Sequence, residues 1–286
     1  MSLNIKYRSA VRGSFGKFDL LLIVAVTGLL AIGTLLVYAG TREWFRSAGL
    51  DPEYYLKRHI INILIGALLA YGTTLIDYRL LRAYTPVIWG AAVIGLILVL
   101  IPGVGLEVNS AQAWIALPGG FQLQPAELAK IAIIVGIAMI LADRDRADED
   151  PTTSDVLMAL AFAAVPILLI VAQPDLGTVL IISAAVVAMI GASGAQARWV
   201  VGLLLLGAVG VVTAIQTGAV SEYQVARLES FVDPSADPQA TGYQLRQSRI
   251  TIGSGGLFGK GLFDGPQTNG RFVPEQQTDF IFTVAG

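Results

Sequence analysis

The sequence predicts an all-α fold, a polytopic transmembrane helix bundle, and three observations carry that expectation. Uncharged apolar runs recur at about the 20-residue length that crosses a bilayer core. Only 14% of the residues are charged and 55% are hydrophobic, whereas a soluble domain carries about 25% charged residues. The mean hydropathy of +0.67 belongs to a chain solvated by lipid.

The runs place spans near 20–40, 60–76, 84–106, 126–142, 156–174, 176–197 and 199–220, seven in all. The first is too long for a signal-peptide core of about 7–15 residues and no small-residue cleavage site follows it, so it stays as an anchor helix. Residues 280–286 begin an eighth apolar run that stops, which reads as a span cut short. The whole chain, 1–286, is then one polytopic membrane domain, with 221–279 as a large extracytoplasmic loop within it. Cations in short loops set the orientation. Lys6, Arg8, Arg12, Lys17, Arg79, Arg82, Arg144, Arg146 and Arg198 fall on one side, against Arg42, Arg46, Lys57, Arg58 and Lys130 on the other. Nine against five puts the amino terminus in the cytoplasm.

Three connecting segments stand out. Residues 107–125 mix aromatic and polar side chains with no charge after Glu107, as an interfacial or re-entrant piece would. The 221–279 loop is rich in Gly, Gln and charge, and a loop of that length is functional or disordered; its glycine clusters with aromatics between them favour a folded functional loop. The stretch from Asp143 to Asp155 holds six carboxylates and no aromatic ring, the composition of a solvated linker.

Composition excludes several classes. A net charge of −2 leaves no surplus of cations to neutralise phosphates, so nucleic acid is not a partner. With no cysteine, disulfides, thiolate metal sites and thiol nucleophiles are absent from this sequence. The one histidine, His59, stands beside Lys57 and Arg58 and reads as an interfacial residue.

Ionisable residues at the membrane rim are costly, and their default reading is functional. Four groups qualify, all on the outward side. In 124–130, Pro125 suits the first turn of a helix, and Glu127 and Lys130 share a face and can pair; the alternatives are an interfacial ion pair or an ammonium presented to an anionic headgroup. In 173–178, Asp175 either caps the next helix or serves a substrate. In 243–261, Arg246 and Arg249 share a helical face, and Lys260 lies among glycines that let backbone N–H groups approach a phosphate. That segment is no nucleotide-binding P-loop, because Ser254 and Gly261 stand where Gly and Ser or Thr are required. In 272–282, Glu275 and Asp279 approach an apolar run, where partial desolvation would raise a carboxylate pKa towards that of a general base; a helix cap is the bland alternative.

These pieces, in this order, resemble the SEDS family of cell-wall polymerases (shape, elongation, division and sporulation). Gln-Pro-Ala-Glu-Leu-Ala-Lys at 124–130 resembles the family's Gln-Pro-Ser-Glu-x-x-Lys, and 173–178 its Gln-Pro-Asp-Leu-Gly-Thr. Residues 252–261 are similar to its Ile-Gly-Ser-Gly-Gly-x-x-Gly-Lys-Gly, and 274–282 to its Pro-Glu-x-x-Thr-Asp-Phe-Ile-Phe. The stretch Leu75-Ile-Asp77-Tyr78-Arg79 resembles the elongation branch, RodA, more than the division branch, FtsW. One departure stands out: many members carry Arg before the tryptophan that here is Trp114, and this chain has Ala113.

The resemblance implies ten spans, so that the chain lacks its last quarter, in a multi-pass protein of the bacterial plasma membrane with its active site facing outward. It implies a peptidoglycan glycosyltransferase that polymerises lipid II during cell elongation, with Asp279 catalytic and undecaprenyl pyrophosphate as the leaving group. Gln124, Glu127, Lys130, Trp114, Asp175, Arg246, Arg249, Lys260 and Glu275 are the substrate-binding candidates, with more of the pyrophosphate charge falling to Lys130, Arg246, Arg249 and Lys260 because of Ala113. A divalent cation, Mg or Mn, on the pyrophosphate, a class B penicillin-binding protein and the membrane proteins of the elongation complex complete the expectation. The rival readings are a lipid-linked precursor transporter (flippase) that makes no bonds and a scaffold for a transpeptidase.

Overall fold

The structure is a computed structural model describing residues 19–108, 111–142, 150–218, 225 and 241–285. The chain divides into two compact units, one of residues 1–75 and 215–286, the other of residues 76–214. Lys6, Arg8, Arg12, Lys17, Arg144 and Arg146 of the orientation count lie outside the described residues.

In the first unit, α1 (Leu20–Ser47) starts where Asp19 caps it, accepting from the N–H groups of Leu21 at 2.9 Å and Leu22 at 3.2 Å. It runs beyond the expected end at residue 40 because Phe45 is buried, against Trp44, Tyr54 and Tyr55, at ring separations of 4.5, 5.8 and 5.3 Å. After Gly49 (φ 70°) the chain turns into α2 (Tyr54–Thr74). Lys57 bridges Asp51 at 2.9 Å and Glu53 at 3.2 Å, and its hydrogen bond holds the exposed Asp51 carboxyl below its ordinary pKa. Further helices described in this unit are α8 (Thr241–Gly255), α9 (Pro266–Asn269) and α10 (Phe282–Ala285).

In the second unit, α3 (Tyr78–Leu100) is capped by Asp77. The span expected to reach residue 106 ends at Leu100, because Pro102 is followed by Gly103 at φ 87°. The next residues pair as β1 (Gly105–Val108), β2 (Ala111–Ala116) and β3 (Gln122–Leu123), an antiparallel sheet in that order. Leu106 faces Trp114, and Ile115 faces Leu123. The segment read as interfacial or re-entrant is thus a small sheet, the one departure among the described residues from an all-α fold. Gly105 is required there, since a Cβ would fall 2.1 Å from the Val99 carbonyl oxygen.

Next come α4 (Pro125–Leu141), α5 (Thr153–Ala172), α6 (Leu176–Ala192) and α7 (Ala197–Gln216). The expected acidic linker is shorter than its composition suggested: Thr152 and Asp155 form a capping box, so Asp155 belongs to the start of α5. The core sets Ala92, Ala126, Ala129, Ala159 and Ala163 among Leu96, Ile133, Ile137, Ile170 and Ile190. Small residues let helix backbones approach where lipid supplies no hydrophobic drive between helices. At Gly136 the approach is tightest, since a Cβ would lie 2.3 Å from the Phe162 ring. That ring packs, tilted by 31°, at 5.2 Å from Trp89, whose Nε1 donates to the Phe162 carbonyl at 3.2 Å.

Helices lie at all seven expected spans, shifted at their ends. Length and composition qualify four of them to cross a membrane: α1, residues Arg79–Leu100 of α3, α5 and α7. Both α4 and α6 have 17 residues, about 25 Å of rise and the lower limit for a span, and α2 opens on Tyr-Tyr-Leu-Lys-Arg-His.

Candidate functional site: polar helix starts and a carboxylate turn

The Gln-Pro motifs at 124 and 173 are brought together in the second unit. Pro125 occupies the first turn of α4, where its missing N–H is no loss, and Gln124 precedes it. Asp175 precedes α6 and caps it: Oδ1 accepts from the Thr178 N–H at 3.1 Å, and Oδ2 from the Thr178 hydroxyl at 2.7 Å. The same Oδ2 accepts from Gln124 Nε2 at 3.0 Å, across 51 residues of sequence. One carboxylate therefore ties two helix N-termini together, each with the positive end of its dipole at this place. Gln173, fully buried, donates to the Leu96 carbonyl at 3.1 Å and locks the end of α5 onto α3.

Along α4, Lys130 Nζ stands 2.6 Å from Glu127 Oε1, with the lysine side chain 26% exposed and the glutamate 59%. The pairing that the helical spacing allowed is present. An anion binding Lys130 therefore shares it with Glu127, and that competition lowers the net gain. Trp114 is half-buried on β2. The buried residue before it is Ala113, a place where a longer cation would need the sheet to open.

The other candidates lie in the first unit. Arg246 and Arg249 are exposed and three residues apart on α8. Lys260 lines a cavity of about 40 Å³ together with Thr251, Ser254, Gly261, Thr268 and Asn269. Gly259 (φ 73°) and Gly261 (φ 101°) flank the lysine, in backbone that L side chains rarely adopt. Thus the glycines expected to let a backbone approach a ligand are also required by the turn itself.

Asp279 sits in a continuous turn, 274–281, ahead of α10. Its neighbour Glu275 (φ 53°) builds that turn. The Glu275 carbonyl accepts from Thr278 N at 3.1 Å and Phe280 N at 3.3 Å, and its Oε2 accepts from Gln277 Nε2 at 3.0 Å. Glu275 is thus engaged in the loop's own structure. Asp279 is exposed and accepts no hydrogen bond from the described residues. The expected desolvation is not supplied by burial in the protein, because the turn holds the side chain outward. It caps no helix either, since its oxygens accept no described N–H.

Gln276 escaped the sequence reading. It is 2% exposed and donates to the Gly40 carbonyl at 2.6 Å and to the Thr268 carbonyl at 3.0 Å. Nothing in a Gln-Gln pair within a polar loop distinguishes the buried member from its half-buried neighbour. Among the described residues no three His, Asp or Glu side chains converge as a metal cage.

Apolar helices whose polar residues gather at their starts and in one carboxylate-bearing turn define a multi-pass membrane protein with polar sites at its helix ends. The sequence pattern of the FtsW/RodA/SpoVE family, described as cell cycle protein, matches residues 19–286, and the chain belongs to that family. It is 34% identical over 270 residues to the probable peptidoglycan glycosyltransferase FtsW of Trichlorobacter lovleyi, covering 94% of this chain and 69% of the relative. It is 33% identical to the stage V sporulation protein E of Bacillus subtilis, covering 93% and 71%. Among solved structures, a chain from a study of polymerization and crosslinking by a peptidoglycan synthase complex matches with a TM-score of 0.63 at 31% identity, over 84% of this chain and 66% of that one. The rod shape determining protein RodA of Thermus thermophilus matches with a TM-score of 0.50 at 23% identity, over 91% and 92%, and shares the fold.

Proposed function

We propose that this chain carries the catalytic part of a peptidoglycan glycosyltransferase that joins lipid II units into glycan strands at the outer face of the plasma membrane. The observation that carries this reading is the Asp279 turn: a carboxylate that accepts no hydrogen bond from the described residues, at the start of an apolar run, on a loop whose other polar groups are consumed in holding its shape. Relatives named as probable peptidoglycan glycosyltransferases support the reaction class.

The chemistry follows from the substrate. Asp279 accepts the proton of the attacking sugar hydroxyl as that oxygen forms the new glycosidic bond. The bond from the anomeric carbon to the pyrophosphate breaks, and undecaprenyl pyrophosphate leaves with the electron pair. Direct displacement inverts the anomeric centre. The leaving group's charge is met by cations and helix N-termini, for which Lys130, Arg246, Arg249, Lys260 and the starts of α4 and α6 are the candidates. Gln124, Glu127 and Asp175 shape the helix starts, Trp114 offers a ring face to sugar, and Glu275 holds the turn. A class B penicillin-binding protein is the proposed crosslinking partner, in keeping with the synthase complex that shares this fold.

The branch follows two indications. The 75–79 stretch supports elongation, with the elongation complex as the setting, whereas the curated relatives carry division and sporulation names. Complementation of elongation-deficient and division-deficient strains separates the two. The decisive experiment for the activity is Asp279→Asn in the full-length protein with purified lipid II. Loss of a general base costs about 10²–10⁴ in rate, so polymerisation should collapse while lipid II binding persists. Polymerisation at the wild-type rate would remove Asp279 as the base. Movement of lipid II between leaflets without polymer formation would favour the transporter.

A further inference from the structure

Among the described residues the Asp279 carboxylate has no hydrogen-bond or ion-pair partner to steer it, so its position is set by how the turn that carries it is attached. Hydrogen bonds within the turn, from Thr278 and Phe280 to the Glu275 carbonyl, give the loop its shape. They leave open where that shape rests in the unit. Two buried side chains contribute: Val273 is 0% exposed, and Thr283 is 3% exposed with its hydroxyl donating to the Phe280 carbonyl at 2.6 Å. The first is apolar and non-directional, and the second is local.

Gln276 differs from both. Three residues before Asp279 and 2% exposed, it donates from Nε2 to the Gly40 carbonyl in α1 at 2.6 Å, over a sequence separation of 236, and to the Thr268 carbonyl at 3.0 Å. One amide group thus joins the turn to a long helix and to the end of the glycine-rich segment. The helix is shaped for it: a Cβ on Gly40 would lie 3.1 Å from Val284 Cγ2 and 3.8 Å from Gln276 Cγ. Glycine at that position lets α10, which directly follows the turn, settle against the α1 backbone. The adjacent Gln277 spends its amide inside the turn, on Glu275, so the two glutamines have separate tasks.

We infer that Gln276 is the positioning residue for Asp279, acting through its paired hydrogen bonds to the Gly40 and Thr268 carbonyls and through the close approach that Gly40 permits. This rests on the reading of Asp279 as the base. A buried amide with directional bonds to two elements fixes both distance and rotation, which an apolar contact does not. A misplacement of about 1 Å at a reacting group can cost about a hundredfold in rate.

The test is Gln276→Leu in the full-length protein, assayed with lipid II beside Asp279→Asn. The expected result is a kcat about ten- to a hundredfold lower with KM within about twofold, because the loss falls on the chemical step rather than on uniform binding. Rescue separates positioning from general weakening. Gly40→Cys together with Val284→Cys in the Gln276→Leu background tethers α10, which directly follows the turn, to α1 by a disulfide, and residues 1–286 contribute no competing cysteine. Oxidation should restore most of kcat and reduction should remove it again. Gln276→Leu at wild-type kcat while Asp279→Asn is inactive overturns the anchor and leaves the base standing. A slow Gln276→Leu that the formed disulfide does not rescue, with a lowered unfolding temperature, overturns it as well, since the residue is then only structural. Asp279→Asn at wild-type rate instead removes the base, and the inference with it.

Discussion

Asp175→Ala removes the carboxylate that ties the starts of α4 and α6 together. Its α6 cap is worth about 1 kcal/mol, and the hydrogen bond it accepts from Gln124, being to a charged group, about 1.5–3 kcal/mol. The site is half-buried, so the lower part of that range applies and the sum is about 3 kcal/mol. At about 2–4 °C per kcal/mol for a large domain, the purified protein should unfold about 6–12 °C earlier. Asparagine caps as well as aspartate, and the Gln124 amide can turn to present its oxygen, so Asp175→Asn should lose only about a third as much. Thermal unfolding in one detergent, followed by circular dichroism, measures both variants. An Asp175→Ala protein that melts with the wild type, or an Asp175→Asn protein that melts with Asp175→Ala, refutes the tie. Should Asp175→Asn fold normally yet fail to polymerise lipid II, the carboxylate does more than cap.

Lys130→Met should weaken lipid II binding by roughly tenfold, the low end for a charge-assisted phosphate contact of about 1.5–3 kcal/mol, since Glu127 already shares the ammonium; unchanged affinity would reduce the pair to an interfacial anchor. Gly136→Ala should destabilise by about 1–3 kcal/mol through overpacking against Phe162, outweighing alanine's helix advantage of about 1 kcal/mol, and Phe162→Leu in the same protein should recover part of it. For topology, Ser254→Cys should react with a membrane-impermeant thiol reagent in intact spheroplasts and Ser154→Cys should not; the opposite pattern inverts the orientation.

Helix content and order were legible because they follow from local rules. Each of the seven expected spans overlaps one of the helices, and caps such as Asp19, Asp77 and Thr152 stand next to the residues they serve. The ends were less legible. α1 continues to Ser47 because Phe45 is buried against the Tyr54 and Tyr55 rings of α2, a contact invisible in a hydropathy profile. The 105–123 segment carries no regular alternation, and its strands exist because they pair with one another. Glu127 and Lys130 were expected to pair, a consequence of helical spacing alone.

By itself, then, the sequence determined that this is a helical membrane protein and which residues carry charge at its rim, because lipid imposes long uncharged runs and leaves ionisable groups few places to stand. Only the tertiary structure decided which of those groups meet. Gln124 and Asp175 are 51 residues apart and Gln276 and Gly40 are 236 apart; such hydrogen bonds depend on where whole helices come to rest. That placement is a sum over the packing of alanines, glycines and branched side chains in each unit, and no local pattern encodes it.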